Sequence, residues 1–235
     1  MSIRASVFVC MLIFTAGTYN AASQTTIFNI PTADSLQSGS VNIEADYLAK
    51  PVKYSKGGFQ TFGYRIAYGL TNRTEIGSNF YFTWDGTSSV ADVEFSIKRK
   101  FYQSERLGLT VAGGAVAFVP LRDRVGDKTS LMLYGNAAKS IKSLNGATVT
   151  SGVYHIFGGT KDFGTRTGLM VGLIQPLKGR FSFVGDWFSG NNRFGYASAG
   201  VNIAVTKRQY FLGGYSFGNS GRGNNMLAAY YGITF

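Results

Sequence analysis

The sequence predicts an all-β chain, folded as an antiparallel up-and-down transmembrane β-barrel of about twelve strands. Three observations carry this. From residue 40 onward, segments of about ten residues alternate apolar with small or polar positions, the period of two that arises when successive strand side chains point to opposite faces. The links between segments alternate short with long, as in barrels with tight periplasmic turns at one end and outer loops at the other. Beyond the N-terminus no stretch approaches 18 uninterrupted apolar residues, so strands, not helices, would cross a membrane.

The chain has 235 residues, 15% of them charged and 15% aromatic, with 31 glycines and only 4 prolines. Aromatic and β-branched residues run its whole length, which is not a disordered composition. At the N-terminus, Arg4 precedes an apolar run from Ala5 to Ala16 and a polar stretch ending Ala21-Ala22-Ser23. That run is shorter than the roughly 20 residues of a spanning helix. Small residues at Ala21 and Ser23 suit signal-peptidase cleavage before Gln24. Residues 1–23 are therefore expected to be a signal peptide, 24–39 a periplasmic or lumenal lead-in, and 40–235 the barrel. Cys10 lies in the apolar run, without the small residues of a lipoprotein site before it, so the mature chain contains no cysteine. Disulfides, thiolate catalysis and Cys-based metal sites are excluded, and no cofactor or metal is expected.

The expected strands are 40–49, 59–70, 74–84, 89–101, 106–119, 129–141, 147–158, 166–175, 180–188, 195–205, 209–217 and 224–235. In the first, Val41, Ile43, Ala45 and Tyr47 oppose Asn42, Glu44 and Asp46. The third sets Ile76, Phe80, Phe82 and Trp84 against Glu75, Asn79, Tyr81 and Thr83; the fourth sets Ala91, Val93, Phe95 and Ile97 against Asp92, Glu94, Ser96 and Lys98. Segments five, six, seven and eleven alternate less cleanly. The links after even strands are short, as at Thr71-Asn72-Arg73 and Thr206 to Arg208; several after odd strands are longer, as at Lys50 to Gly58 and Pro120 to Lys128. An even strand count then places both termini on the short-turn side.

A soluble sandwich or lipocalin-like barrel would also alternate. Charge placement argues against it, because Asp and Glu recur at mid-strand on the polar face, which suits a polar lumen. The apolar faces end in aromatics, Tyr47, Tyr68, Trp84, Phe101, Trp187 and Tyr231, where interface belts would lie. The chain ends with Leu227, Ala229, Tyr231, Ile233 and Phe235 at every second position. This ending resembles the C-terminal assembly signal of Gram-negative outer-membrane β-barrels. Tyr68-Gly-Leu-Thr-Asn-Arg-Thr-Glu-Ile-Gly77 is similar to the strand-turn-strand hairpins of that class, and Ile30 to Gly39 resembles the lead-in to the first strand of some barrels. The resemblance implies the cell outer membrane as location, with the barrel assembly machinery and outer-membrane lipid as partners.

Some such barrels are enzymes. The phospholipase and lipid A deacylase barrels resemble one another in a His-x-Ser motif, but His155, the only histidine, is followed two residues on by Phe157. Ser151 shares its face at a distance of roughly 13 Å along a strand, whereas nucleophile and base must approach to roughly 3 Å. A serine on a neighbouring strand stays open. The histidine–aspartate pairing of omptin-type protease barrels is absent, and the chain is expected not to be an enzyme. Asp162-Phe163-Gly164 falls in an outer loop with no catalytic-loop motif beside it. Gly218, Gly221 and Gly223 precede no helix that could cradle a phosphate.

Net charge is +11, or +10 once Arg4 is removed. The expected inward face carries Glu44, Asp46, Glu75, Asp92, Glu94 and Asp186 against Arg65, Lys98, Lys100, Arg106, Arg166 and Arg180. Six carboxylates meet six cations, a balanced pore lining. The surplus then lies in outer loops, at Lys50, Lys53, Lys56, Arg122, Arg124, Lys128, Lys161, Arg193 and Arg222, diluted by Asp85, Asp123, Asp127 and Asp162. Lipopolysaccharide phosphates are the best-placed partners; nucleic acid is excluded by secretion. Arg166 and Asp186 are expected to face one another across strands eight and nine, and Glu44 and Arg65 across strands one and two.

The leading expectation of function is a passive pore for small solutes, since twelve strands fall between the filled eight-stranded barrels and the open porins. Inward Gly63, Gly77, Gly108, Gly168, Gly172 and Gly200 would leave room for a path. A non-conducting barrel with a structural, surface-binding or envelope-assembly role is the competing class, and a barrel hydrolase the third. Neither the substrate nor the oligomeric state is written in the sequence. Mass spectrometry of protein from an outer-membrane fraction should find a mature N-terminus within two residues of Gln24; an intact Met1 there would refute the signal assignment.

Overall fold

Period two, repeated with short links, leaves each strand only its sequence neighbours to pair with. In the computed structural model of the chain, which describes residues 25–122, 128–160, 163–219 and 225–235, that pairing closes into a barrel. The strands are β1 (Val41–Lys50), β2 (Phe59–Thr71), β3 (Thr74–Trp84), β4 (Ser89–Ser104), β5 (Leu109–Arg122), β6 (Ser130–Ile141), β7 (Ala147–Gly158), β8 (Thr167–Pro176), β9 (Phe181–Phe188), β10 (Tyr196–Ala204), β11 (Gln209–Gly218) and β12 (Met226–Thr234). All neighbouring pairs are antiparallel, and β12 returns to β1 in the register Ala45 opposite Tyr231. At the seam Val41 donates its N–H to the Phe235 carbonyl at 3.2 Å and Phe235 returns one to Val41 at 2.8 Å. Closure leaves no strand edge with unpaired backbone groups, the condition for placing sheet in hydrocarbon.

Both barrel termini lie at one end with the turns 72–73, 105–108, 142–146, 177–180 and 205–208, here called the turn end. The opposite loop end carries links such as 51–58, 159–166 and 189–195. Every strand lies within three residues of its expected span. The largest departure matters: β5 starts at Leu109, which leaves Arg106 and Gly108 in the preceding turn.

Outward positions form an apolar belt. Tyr64, Phe95, Val153, Leu169, Phe211, Leu227 and Tyr231 are all exposed there, as are the aromatics Tyr47, Tyr68, Trp84, Phe101 and Trp187. About ten residues rising ~3.3 Å each and tilted about 40° span about 25 Å, the height of a hydrocarbon core. Leu227, Tyr231 and Phe235 belong to this belt, exposed on the strand that closes the barrel.

The lead-in enters the barrel. Ile27, Phe28, Ile30, Ala33 and Leu36 are all buried, and Thr26 bridges to Pro31 so that the segment turns back on itself. Ile27, Phe28 and Ile30 join Met132, Tyr154, Ile156, Met170, Val184, Phe188, Leu212 and Tyr230 in one apolar cluster. Those partners sit on the inward faces of β6 to β9, β11 and β12. This explains the weak alternation of segments six, seven and eleven: where the wall packs on the inserted segment, both faces are apolar. The inward face of β5, Ala112, Val116 and Phe118, is likewise buried and apolar.

The inserted segment fills the room left by Gly172 and Gly200, while side chains of the wall itself, Tyr81, Ser96 and Tyr154, stand against Gly63, Gly77 and Gly168. A Cβ on Gly172 would meet the Cδ1 atoms of Ile27 and Ile30, the latter at 2.7 Å, and Cβ atoms on Gly200 and Gly214 would reach Phe28 Cζ at 2.7 and 2.6 Å. Gly108 is not lumenal; it turns the β4–β5 link at φ +60°. The expected signal peptide 1–23, its cleavage point before Gln24, Asp123, Arg124, Asp127, Lys161, Asp162, Gly221, Arg222 and Gly223 lie outside the described residues.

Overpacking a filled site costs about 1–3 kcal/mol. Gly172→Val should therefore lower stability in urea unfolding, and Ile27→Ala together with Ile30→Ala should relieve most of that loss in the combined variant, because the clash is with the insert and not with the wall.

Candidate functional site

The site is the lumen, and its charged residues do two different jobs. Some of them hold residues 25–36. The Asp186 carboxylate on β9 accepts three consecutive backbone N–H groups through one oxygen, from Phe28 at 3.0 Å, Asn29 at 2.6 Å and Ile30 at 2.9 Å. Ser198, on the neighbouring β10, accepts from Asn29 Nδ2 at 2.9 Å. On the opposite wall Glu75 accepts the Leu36 N–H at 2.9 Å and pairs with Lys98 at 3.2 Å. Lys98 also donates to the Thr25 carbonyl at 3.2 Å. Asn136 Nδ2 donates to the Pro31 carbonyl at 2.7 Å, and Lys100 pairs with Asp34 at 3.4 Å. A backbone that leaves the sheet inside a barrel must find partners for its polar groups, and these side chains supply them.

On the β1–β4 side the inward face turns acidic. Glu44 and Arg65 pair at 2.9 Å, and Tyr210 donates its hydroxyl to the other Glu44 oxygen. Arg65 Nη1 also donates to Thr26 of the insert at 2.6 Å. Its Nε donates to Asn79 Oδ1 at 3.1 Å, and Asn79 Nδ2 donates to Glu94 at 2.7 Å. The Tyr81 hydroxyl donates to Asp46 at 3.3 Å. At the rim, the backbone N–H groups of Ser88 and Thr87, at 2.8 and 3.0 Å, hold the Asp85 carboxyl well below the usual carboxylate range, so it stays charged.

Above the insert lies a cavity of about 910 Å³. It runs from the loop residues Tyr54, Asp85 and Arg193 down the β2–β4 wall to Thr25, Glu75 and Lys98. Asp92 and Glu94 line it from β4, and Phe118, Tyr134, Phe188, Phe194, Tyr196 and Tyr230 supply aromatic surface.

Three of the expected inward cations stand elsewhere. Arg106 is exposed in the β4–β5 turn. Arg166 precedes β8 and is held by loop carbonyls, Gly158 and, at 2.9 Å, Thr160. Arg180 lies in the β8–β9 turn and donates to the Val205 carbonyl at 3.2 Å. The inward strand positions thus carry six carboxylates, Glu44, Asp46, Glu75, Asp92, Glu94 and Asp186, against three cations, Arg65, Lys98 and Lys100. The lumen is acidic, not balanced. Arg166 does not meet Asp186 either, because the β8–β9 register sets Asp186 opposite Gly172. Glu44 and Arg65 do stand opposite one another.

His155 faces outward near the loop end, with Nδ1 2.6 Å from the Thr167 hydroxyl on β8. That contact brings a hydroxyl on a neighbouring strand to an imidazole. The adjacent Ile156 N–H is committed to the Arg166 carbonyl at 2.8 Å, and acyl transfer needs N–H donors free to meet an oxyanion. The sequence reading left the lead-in 24–39 as periplasmic or lumenal, of which residues 27–30 take the second, and it missed Arg193 as a cavity residue. The available signal was Ile27, Phe28 and Ile30 in the lead-in, matched by apolar inward faces in the weakly alternating segments.

No family model matches the chain, and no curated protein matches it. Among solved structures, it is similar to an outer membrane channel from Pseudomonas putida F1, with 12% identity, a TM-score of 0.57, and coverage of 86% of this chain and 98% of that one. It is also similar to an active-site mutant of the outer membrane phospholipase A of Escherichia coli, with 13% identity, a TM-score of 0.50, and coverage of 95% of this chain and 94% of that one. These likenesses show the outer-membrane β-barrel fold, shared by a channel and an enzyme alike.

Hydrogen bonds to a charged group contribute about 1.5–3 kcal/mol each, and Asp186 accepts three. Asp186→Ala should loosen the insert. The Phe28→Cys thiol should then react with a water-soluble maleimide at least 10-fold faster in the Asp186→Ala background than beside intact Asp186.

Proposed function

We propose that this protein is an integral outer-membrane channel for small solutes, closed in the state described by residues 25–36, with a preference for cations when open. The observation that carries this reading is the cavity above the insert, about 910 Å³ and lined down its β3–β4 side by Asp92 and Glu94. A barrel filled for stability alone has no need of such a space. The floor of the cavity is chain held by hydrogen bonds and ion pairs to side chains, each of which can be exchanged for water without breaking the barrel ladder. The excess of lumenal carboxylates raises the local concentration of cations and lowers that of anions.

The remaining assignments follow from the same picture. Signal-peptide cleavage at Gln24 would deliver the chain to the periplasm, and the outward Leu227, Ala229, Tyr231, Ile233 and Phe235 would be read by the barrel assembly machinery. Exposed Lys53 and Lys56 at the loop end suit lipopolysaccharide phosphates. Arg193 does not belong with them, because its guanidinium lies over Phe118 and Phe194. The His155–Thr167 contact is read as an interfacial hydrogen bond and the chain as no enzyme.

The filled lumen also favours a second reading, a barrel that never conducts. Planar-bilayer recording separates the two. Wild type should open rarely, and Asp186→Ala should raise the open probability several-fold, with a reversal potential in a KCl gradient that reports cation preference. Electrical silence of both proteins would leave the non-conducting barrel. A conducting variant selective for anions would refute the acidic path.

A further inference from the structure

One end of the cavity is already furnished with a cation. Arg193 sits on the link between β9 and β10, and its Cζ lies 5.2 Å from the centroid of the Phe118 ring and 5.0 Å from that of Phe194. Both rings line the cavity, as do Asp92 and Glu94. The guanidinium is close enough to Glu94 to interact with it electrostatically. Aromatic faces together with carboxylates form the surroundings in which organic cations are recognised, because ring quadrupole and negative charge act in the same direction.

The wall beneath is arranged to keep that character. Asn79 directs its Nδ2 to Glu94 at 2.7 Å and its Oδ1 to Arg65 Nε at 3.1 Å, so an amide stands between the Glu94 carboxylate and the Arg65 guanidinium. Arg65 itself is paired with Glu44 at 2.9 Å. Asp85 adds a further carboxylate at the rim. Asp85 and Arg193 stand at the loop end of the cavity and Asp92 and Glu94 line it from β4, while the Arg193 charge already lies over two rings. Arg193 is exposed and the strand before it ends at Phe188, so its side chain can leave without disturbing the sheet.

We propose that this end of the cavity is a binding site for small organic cations, an alkylammonium or guanidinium carrying an apolar body, and that Arg193 occupies the site in the ligand's absence. The volume of about 910 Å³ lies within the few hundred to about 1,000 Å³ typical of small-molecule sites. The proposal deepens the channel reading by naming the class of solute, and it rests on that reading's view of the cavity as open to solutes from the loop end.

The test is calorimetric titration of the refolded full-length barrel in a non-ionic detergent. Benzyltrimethylammonium is the probe, and phenylacetate its anionic counterpart with a similar body. The cation should bind saturably and at least 10-fold more tightly than phenylacetate. Glu94→Gln combined with Asp92→Asn should weaken it at least 10-fold. Arg193→Gln, on an exposed link where folding is not at risk, should tighten it several-fold by removing the tethered competitor. The gel-mobility difference between unheated and boiled samples confirms that each variant is a closed barrel. Equal or tighter binding of phenylacetate, an affinity indifferent to the carboxylates, or weaker binding in Arg193→Gln would each overturn the proposal. A barrel that is silent in bilayers yet binds in this pattern would overturn the channel and leave the site. A conducting barrel that does not bind the probe would overturn the site alone.

Discussion

A stretch of backbone that leaves the sheet and enters the lumen must have its polar groups satisfied there, and most of the barrel's interior is arranged by that requirement. Asp186 meets it most directly, gathering the N–H groups of Phe28, Asn29 and Ile30 on one oxygen. Glu75, Lys98 and Asn136 meet it for Leu36, Thr25 and Pro31. Remove the insert, and these buried polar groups face an empty lumen while Met170, Val184 and Leu212 lose their apolar partners. The wall and the insert therefore specify each other, with charge on one side and packing on the other.

This division gives the lumen two halves. The β6–β9 side and β11–β12 are apolar where they touch Ile27, Phe28 and Ile30. The β1–β4 side is polar and acidic, with Glu44, Asp46, Glu75, Asp92 and Glu94. The cavity follows the second half because nothing apolar fills it. The carboxylates of this half are held in place by amides and hydroxyls, Asn79 for Glu94 and Tyr81 for Asp46. Closing contacts that are individually modest can be exchanged for water, and this distinguishes an insert that could yield from the ladder, which closes at the β1–β12 seam.

The barrel's outside is simpler. Its apolar belt has no lumen to answer to, only the thickness of hydrocarbon, and its tyrosines and tryptophans bring a polar tip with an apolar body. The last strand does double duty, presenting Leu227, Tyr231 and Phe235 outward while Met226, Ala228 and Tyr230 face the lumen and are buried. His155, outward and bonded to Thr167, belongs to this outer surface and has no part in the lumenal chemistry.

The sequence by itself determined the strands, their order, their closure and the facing of Glu44, Asp46, Glu75, Asp92, Glu94 and Lys98, because period two and link length are local properties of the chain. It also placed Arg65 beside Glu44, because the two residues hold inward positions on adjacent strands. Arg106, Arg166 and Arg180 were legible as residues near strand ends but not as residues outside strands, since one or two positions at a boundary decide whether a side chain points inward or belongs to a turn. That error alone turned an acidic lumen into a balanced one. Residues 25–36 were legible as a lead-in and their destination was not. Whether a short apolar segment lies outside a barrel or inside it depends on the space left by Gly172, Gly200 and Gly214 and on an acceptor, Asp186, more than 150 residues away. Those partners converge only once the sheet has closed, and the tertiary structure alone decided that the glycines make room for the chain's own backbone.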